Sequence, residues 1–160
     1  MKLLLVDDIR ETRIRETRDF FRFAFELEGI QMRLASNGSE AIELVQQERF
    51  DVIVMDVEMP QMNGWDAVRQ MRQMPNGADV PILLFSAYCD DNSDRESVAV
   101  GADTLLSKPV LPKPVLPREL LTRIEKVIDK HRDNLDANPM SLRVQCLPSV
   151  SESLAASASM

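Results

Sequence analysis

Only two cysteines, Cys89 and Cys146, occur in the 160 residues. They are too few and too far apart for a disulfide scaffold or a thiolate metal site. No apolar run approaches the ~18 residues that a membrane span needs. The N-terminus enters a strand-like pattern without a signal-peptide arrangement, so a cytoplasmic protein that does not engage membranes is expected. Positive charge is scarce: 19 Lys and Arg stand against 26 Asp and Glu, for a net charge of −7. That balance disfavours nonspecific binding to nucleic acid or anionic lipid and favours a protein partner. Glycine occurs five times and forms neither a phosphate loop nor a dinucleotide fingerprint after the first apolar run, which weakens any nucleotide-binding reading.

What is present centres on Asp51-Val52-Ile53-Val54-Met55-Asp56-Val57-Glu58-Met59-Pro60. Four consecutive apolar residues read as a strand buried on both faces, ending on Asp56 before a loop that Pro60 and Gly64 define. Leu3-Leu4-Leu5-Val6 is a second such run and ends in Asp7-Asp8. Two parallel strands would deliver three carboxylates to one rim. Like charges ~4 Å apart repel by ~4 kcal/mol at an effective dielectric of ~20, so the cluster requires a cation or shifted protonation. Hard oxygen ligands of this kind suit Mg²⁺. Two further runs end in Ser86-Ala87 and in Ser107-Lys108. A hydroxyl at Ser86 and an ammonium at Lys108 beside metal-bound carboxylates are the equipment for holding a phosphoryl group on Asp56.

In chain order, residues 9–13 are copied as 14–18, Ile-Arg-Glu-Thr-Arg twice. The first helix follows, with Phe20, Phe21, Ala24, Phe25 and Leu27 as its apolar stripe to Gly29. The extra unit is expected to lengthen the leading loop or the free end of that helix. Strand two covers 30–35, with Ile30, Met32 and Leu34 on one face. Asn37-Gly38 makes a turn, Ser39 is a possible cap, and Ala41, Ile42, Leu44 and Val45 line helix two. Trp65, Val68 and Met71 lie on helix three, Trp65 as a packed residue, before the Pro75-Asn76-Gly77 turn. The acidic run from Asp90 reads as the solvated start of a short helix that ends at Gly101. Residues 108–112 are copied as 113–117, Lys-Pro-Val-Leu-Pro twice. Their prolines give an extended connector, with Pro117 opening the last helix and Leu120, Leu121, Ile124, Val127 and Ile128 marking its buried face. Lys108 rather than Lys113 is expected at the strand end, because Gly101-Ala102-Asp103 sets its distance. One domain over 1–132 and a disordered tail over 133–160 are expected.

Five strand-then-helix alternations predict an α/β fold, a doubly wound parallel sheet covered on both faces. The acidic pair Asp7-Asp8, the block Met55-Asp56-Val57-Glu58-Met59-Pro60-x-Met62-Asn63-Gly64, Ser86-Ala87, and Gly101-Ala102-Asp103-x-x-Leu106-x-Lys108-Pro109 occur in that order. In these four motifs, over roughly 2–130, the sequence resembles the receiver domain of two-component response regulators, of the single-domain chemotaxis-regulator type. The resemblance implies the flavodoxin-like strand order 2-1-3-4-5, which sets Asp7, Asp8 and Asp56 side by side at the switch point. It implies Asp56 as phosphoacceptor, Mg²⁺ held by Asp7, Asp8, Asp56 and the backbone carbonyl of Glu58, and Ser86 and Lys108 on phosphoryl oxygens. It also implies a sensor histidine kinase or phosphotransfer protein as donor, and a downstream protein target met through the fourth helix, the last strand and the last helix. Leu105 stands where the family carries an aromatic three before the lysine, and Glu58 and Tyr88 stand where the family tunes dephosphorylation.

Such a module would catalyse only its own phosphotransfer and dephosphorylation, and is not an enzyme acting on an outside metabolite. The single histidine, His131, falls at the end of the last helix, away from Asp56, and is not the expected phosphodonor. No helix-turn-helix or basic segment follows that helix, so direct DNA binding is not expected. Two other readings remain. One is a receiver-like adaptor that works without phosphorylation. The other is an aspartyl-phosphate phosphohydrolase, a class that carries Asp two residues after its nucleophile, where this chain has Glu58, and a cap insertion that this chain lacks.

Overall fold

The short apolar runs become five strands: β1 (Lys2–Val6), β2 (Gln31–Ala35), β3 (Val52–Asp56), β4 (Ile82–Ser86) and β5 (Thr104–Ser107). Each is followed by a helix: α1 (Thr12–Leu27), α2 (Gly38–Gln47), α3 (Gly64–Arg72), α4 (Asp91–Val100) and α5 (Pro117–Ala137). The computed structural model describes residues 1–7, 12–86, 90–107 and 117–137. All pairings are parallel and the sheet order is β2-β1-β3-β4-β5, the doubly wound arrangement expected.

Alternation along the strands builds two cores. Leu4, Val6, Ile53, Met55, Ile82 and Leu84 face one way, against Ala41 and Val45 of α2 and Trp65, Val68 and Met71 of α3. Leu3, Val52, Val54, Leu83 and Phe85 face the other, against Phe25 of α1 and Ile124 and Val127 of α5. Every residue of β3 and β4 is buried, which is why these segments read as unbroken apolar runs. Trp65 is packed in the first core, as expected.

Local signals set the helix ends. Asn37, not Ser39, caps α2: its Oδ1 accepts from the Glu40 amide at 2.8 Å, and the Glu40 carboxylate accepts from the Ser36 amide at 2.8 Å. This reciprocal pair satisfies two amides at once. Ser39 lies inside the helix, one residue past its first. Asp90 caps α4, and Gly101 closes it with φ 87, a left-handed conformation that a side chain disfavours. Pro117 opens α5 as expected, but the helix runs to Ala137, so residues 133–137 are helical rather than the start of a tail. The cause is a buried stripe that continues through His131 to the half-buried Leu135.

The second copy of the first repeat, residues 14–18, lies wholly inside α1. The connector 108–116 and the tail from 138 lie outside the described residues. Among the described residues, Phe20, Phe23 and Leu27 of α1 and Val98 of α4 are exposed apolar side chains. No described helix is long and apolar enough to cross a membrane.

Candidate functional site

Register brings the predicted residues to one rim. Val6 of β1 pairs with Met55 of β3, so Asp7 and Asp56, the residues that follow, stand at adjacent strand ends. Asp56 pairs with Phe85 of β4, which puts Ser86 one step further out on the neighbouring strand. Ser86 in turn pairs with Ser107 of β5, the residue before Lys108. Asp8 and Lys108 themselves lie outside the described residues.

The loop after β3 holds Asp56 in place. Asp56 is 4% exposed, and its Oδ1 accepts a hydrogen bond from the Glu58 amide at 3.0 Å. A carboxylate held by a backbone donor keeps its direction. Further on, the Met62 amide donates to the Pro60 carbonyl at 2.8 Å around Gln61, whose φ is 69. Such a tight turn at a non-glycine residue is strained by ~1–3 kcal/mol and persists only where its surroundings fix it. Those surroundings are the Gly64 amide, which donates to Val57 at 2.9 Å, and Asn63, whose Oδ1 caps α3 by accepting from Asp66 at 2.9 Å. The loop thus folds back over the strand end. Ser86 is 2% exposed, and its hydroxyl donates to the exposed Glu58 carboxylate.

The donor set at this rim is all oxygen. Carboxylates of Asp7 and Asp56 at neighbouring strand ends are the hard ligands that a small divalent cation such as Mg²⁺ takes. Among the described residues no group of three or more His, Cys, Asp or Glu side chains converges as a metal site. The third expected carboxylate, Asp8, falls outside them.

A second polar cluster, at the opposite end of the sheet, is not predicted from sequence. Arg72 is 8% exposed; its guanidinium donates to the carbonyls of Gly101, Gly77 and Val80 at 2.7, 2.8 and 2.6 Å and to Asp103 Oδ2 at 3.2 Å. Asp103 Oδ1 meets Nδ1 of His131, and Nε2 of that ring is 2.8 Å from the Asp79 carbonyl. Burial pulls the His131 pKa down, but the hydrogen bond and charge of Asp103 and the bond to Asp79 outweigh it, for a net rise. The geometry agrees, because two flanking acceptors are both satisfied only when both ring nitrogens carry protons. His131 is thus committed to structure, remote from Asp56. The acid at Asp103 was legible only as part of a motif, and nothing in the sequence singles out Arg72.

Comparison with known proteins bears on this rim. A family model for the response regulator receiver domain matches residues 3–125. An uncharacterized 14.6 kDa protein from the sodA1 3′ region of Leptolyngbya boryana is 34% identical over 110 residues, which cover 69% of this chain and 80% of that protein. Response regulator MprA of Mycobacterium leprae is 38% identical over 110 residues, 68% of this chain and 45% of that protein. The chain therefore spans about half the length of its MprA relatives. The structure of Vibrio cholerae chemotaxis protein CheY4 superimposes with a TM-score of 0.64 at 32% identity, covering 79% of this chain and 97% of that one. The receiver domain of a Pseudomonas aeruginosa sensor histidine kinase, solved with magnesium coordinated in its active site cleft, shares the fold. It has a TM-score of 0.63 at 24% identity, over 80% of this chain and 97% of that one.

Proposed function

This chain belongs to the response regulator receiver domain family, and on that premise we propose that Asp56 accepts a phosphoryl group from a histidine kinase or phosphotransfer protein. The observation that carries the reading is the placement of Asp56 at the end of β3, buried and held by the Glu58 amide, with Asp7 and Ser86 at the flanking strand ends. A carboxylate oxygen of Asp56 attacks phosphorus as the bond from phosphorus to the donor imidazole nitrogen breaks. The nitrogen keeps the electron pair, and the acyl phosphate remains on Asp56. Asp7, Asp8, Asp56 and the Glu58 carbonyl would hold Mg²⁺, which supplies charge neutralisation for the phosphoryl oxygens. Ser86 donates to one of those oxygens and Lys108 pairs with another.

The reaction is confined to the protein's own aspartate, first phosphorylated and then hydrolysed, and no outside metabolite is turned over. Output passes through protein contact in the cytoplasm, in keeping with the net charge of −7. The surface from α4 through β5 to α5 carries it, with Val98 as an exposed apolar point on α4. Incubation with a small-molecule phosphodonor and Mg²⁺, followed by intact mass, tests the reading. One phosphoryl adduct is expected on the native chain and none on Asp56→Asn. An unmodified native chain would leave the phosphorylation-independent adaptor, and an adduct that survives Asp56→Asn would move the acceptor elsewhere.

A further inference from the structure

Glu58 touches both partners of the proposed reaction. Its amide donates to Asp56 Oδ1 at 3.0 Å, and its carboxylate accepts the hydroxyl of Ser86 across the β3–β4 junction. We infer that the Glu58 side chain is a positioning residue that opposes the switch, by holding the hydroxyl proton of Ser86 that the phosphoryl group on Asp56 would take. The inference rests on the phosphoacceptor reading of Asp56.

A serine hydroxyl has a single proton to donate, so a bond to Glu58 and a bond to a phosphoryl oxygen exclude one another. Both competitors are anionic oxygens, and both bonds are of the strong, charge-assisted kind. The exchange is therefore close to balanced, and removing one competitor tips it. Position sharpens the competition: Ser86 is 2% exposed, so little water reaches its hydroxyl in place of a lost partner. Glu58 is exposed, so water reaches its carboxylate. The latch thus occupies the Ser86 hydroxyl until a phosphoryl oxygen replaces the Glu58 carboxylate.

A double-mutant cycle on the full chain separates this from a simple charge effect. Trifluoroberyllate with Mg²⁺ serves as the phosphoryl mimic, and its dissociation constant is measured for the native chain, Glu58→Ala, Ser86→Ala and the double variant. Glu58→Ala is expected to tighten mimic binding about tenfold when Ser86 is present and to change nothing on the Ser86→Ala background. Glu58→Gln, which keeps an oxygen able to accept the hydroxyl, falls between. Equal tightening on both backgrounds would make Glu58 a mere repelling charge and overturn the latch, as would no tightening on either. A second readout needs no mimic: three-bond couplings report the Ser86 χ1 rotamer in the metal-free chain. One rotamer is expected in the native chain and in Glu58→Gln, and a mixture in Glu58→Ala; an unchanged distribution in Glu58→Ala overturns the contact. Failure of the mimic to bind any of the four chains, with the rotamer still responding to Glu58→Ala, overturns the phosphoacceptor reading and the competition with it, while the contact itself stands.

Discussion

A methyl group placed on Gly64 would lie 2.6 Å from the carbonyl oxygen of Asp56 and 2.9 Å from the Cα of Val57. Both obstacles are backbone, so neither can rotate aside. The first residue of α3 therefore has to lack a side chain for the loop to fold back over Asp56. Gly64→Ala is expected to destabilise the domain by ~1–3 kcal/mol through overpacking and to lower phosphorylation of Asp56 by shifting its backbone. Gly38 is the control, because its nearest neighbour is the end of the flexible Met62 side chain at 3.0 Å. A urea midpoint that fell further for Gly38→Ala than for Gly64→Ala would refute this account.

The buried cluster at the far end of the sheet predicts a pH dependence. The His131 pKa is raised overall, burial opposing and Asp103 and Asp79 prevailing. Its stabilising contribution is therefore complete below the ordinary value of 6.5 and fades as pH rises through the higher folded-state value. The groups facing the ring are the Asp103 carboxylate, the Asp79 carbonyl and, through Asp103, the Arg72 guanidinium. His131→Gln is expected to cost ~1.5–3 kcal/mol at acidic pH, the worth of a charge-assisted hydrogen bond, and less at alkaline pH. Asp103→Ala is expected to cost ~3–5 kcal/mol at acidic pH, because it removes the carboxylate that pairs with both buried Arg72 and the charged ring, and less at alkaline pH, where only the Arg72 share is left. Denaturant unfolding of both variants across pH checks the pair, and a flat His131→Gln difference would count against a charged ring.

Much of this was readable before any coordinates. Unbroken apolar runs located Asp56 and Ser86 at strand ends because a parallel strand buried on both faces has no polar positions to spare until it leaves the sheet. Helical stripes placed Ile124 and Val127 for the same reason. Three features were not readable. The extension of α5 to Ala137 was hidden because its inner stripe passes through His131, which an apolar count reads as polar. The role of Arg72 was hidden because most of its acceptors are backbone carbonyls, which leave no mark on sequence. The Ser86–Glu58 bond joins residues 28 apart and emerges only once β3 and β4 are in register.

Repulsion between the Asp7 and Asp56 carboxylates, with Asp8 next in sequence, predicts a stabilisation by Mg²⁺. A cation that binds only the folded rim adds ~1.4 kcal/mol at a concentration ten times its dissociation constant. That amounts to a rise of a few degrees in melting temperature for a domain of this size. Asp8→Ala is expected to remove most of the gain. A melting temperature indifferent to millimolar Mg²⁺ in the native chain would argue against these carboxylates as ligands.

The duplicated connector gives the last prediction. Deleting residues 113–117 brings Pro112 directly before Arg118, restoring the Pro-Arg junction at which α5 begins. The helix keeps a proline at its first position, where the missing amide costs nothing, and the shortened loop changes closure entropy by only ~0.7 kcal/mol. The deletion variant is therefore expected to fold and to remain phosphorylatable at Asp56. The register of β5 decides which lysine matters: Ser107 pairs with Ser86, and Lys108 is the next residue. Lys108→Ala in the full chain is expected to impair phosphorylation-dependent switching, whereas Lys113→Ala is not. Adduct formation by intact mass and the shift in mimic affinity measure both. The opposite result, a sensitive Lys113 and an indifferent Lys108, would mean that the second Lys-Pro step supplies the charge at the strand end and that the first belongs to the connector.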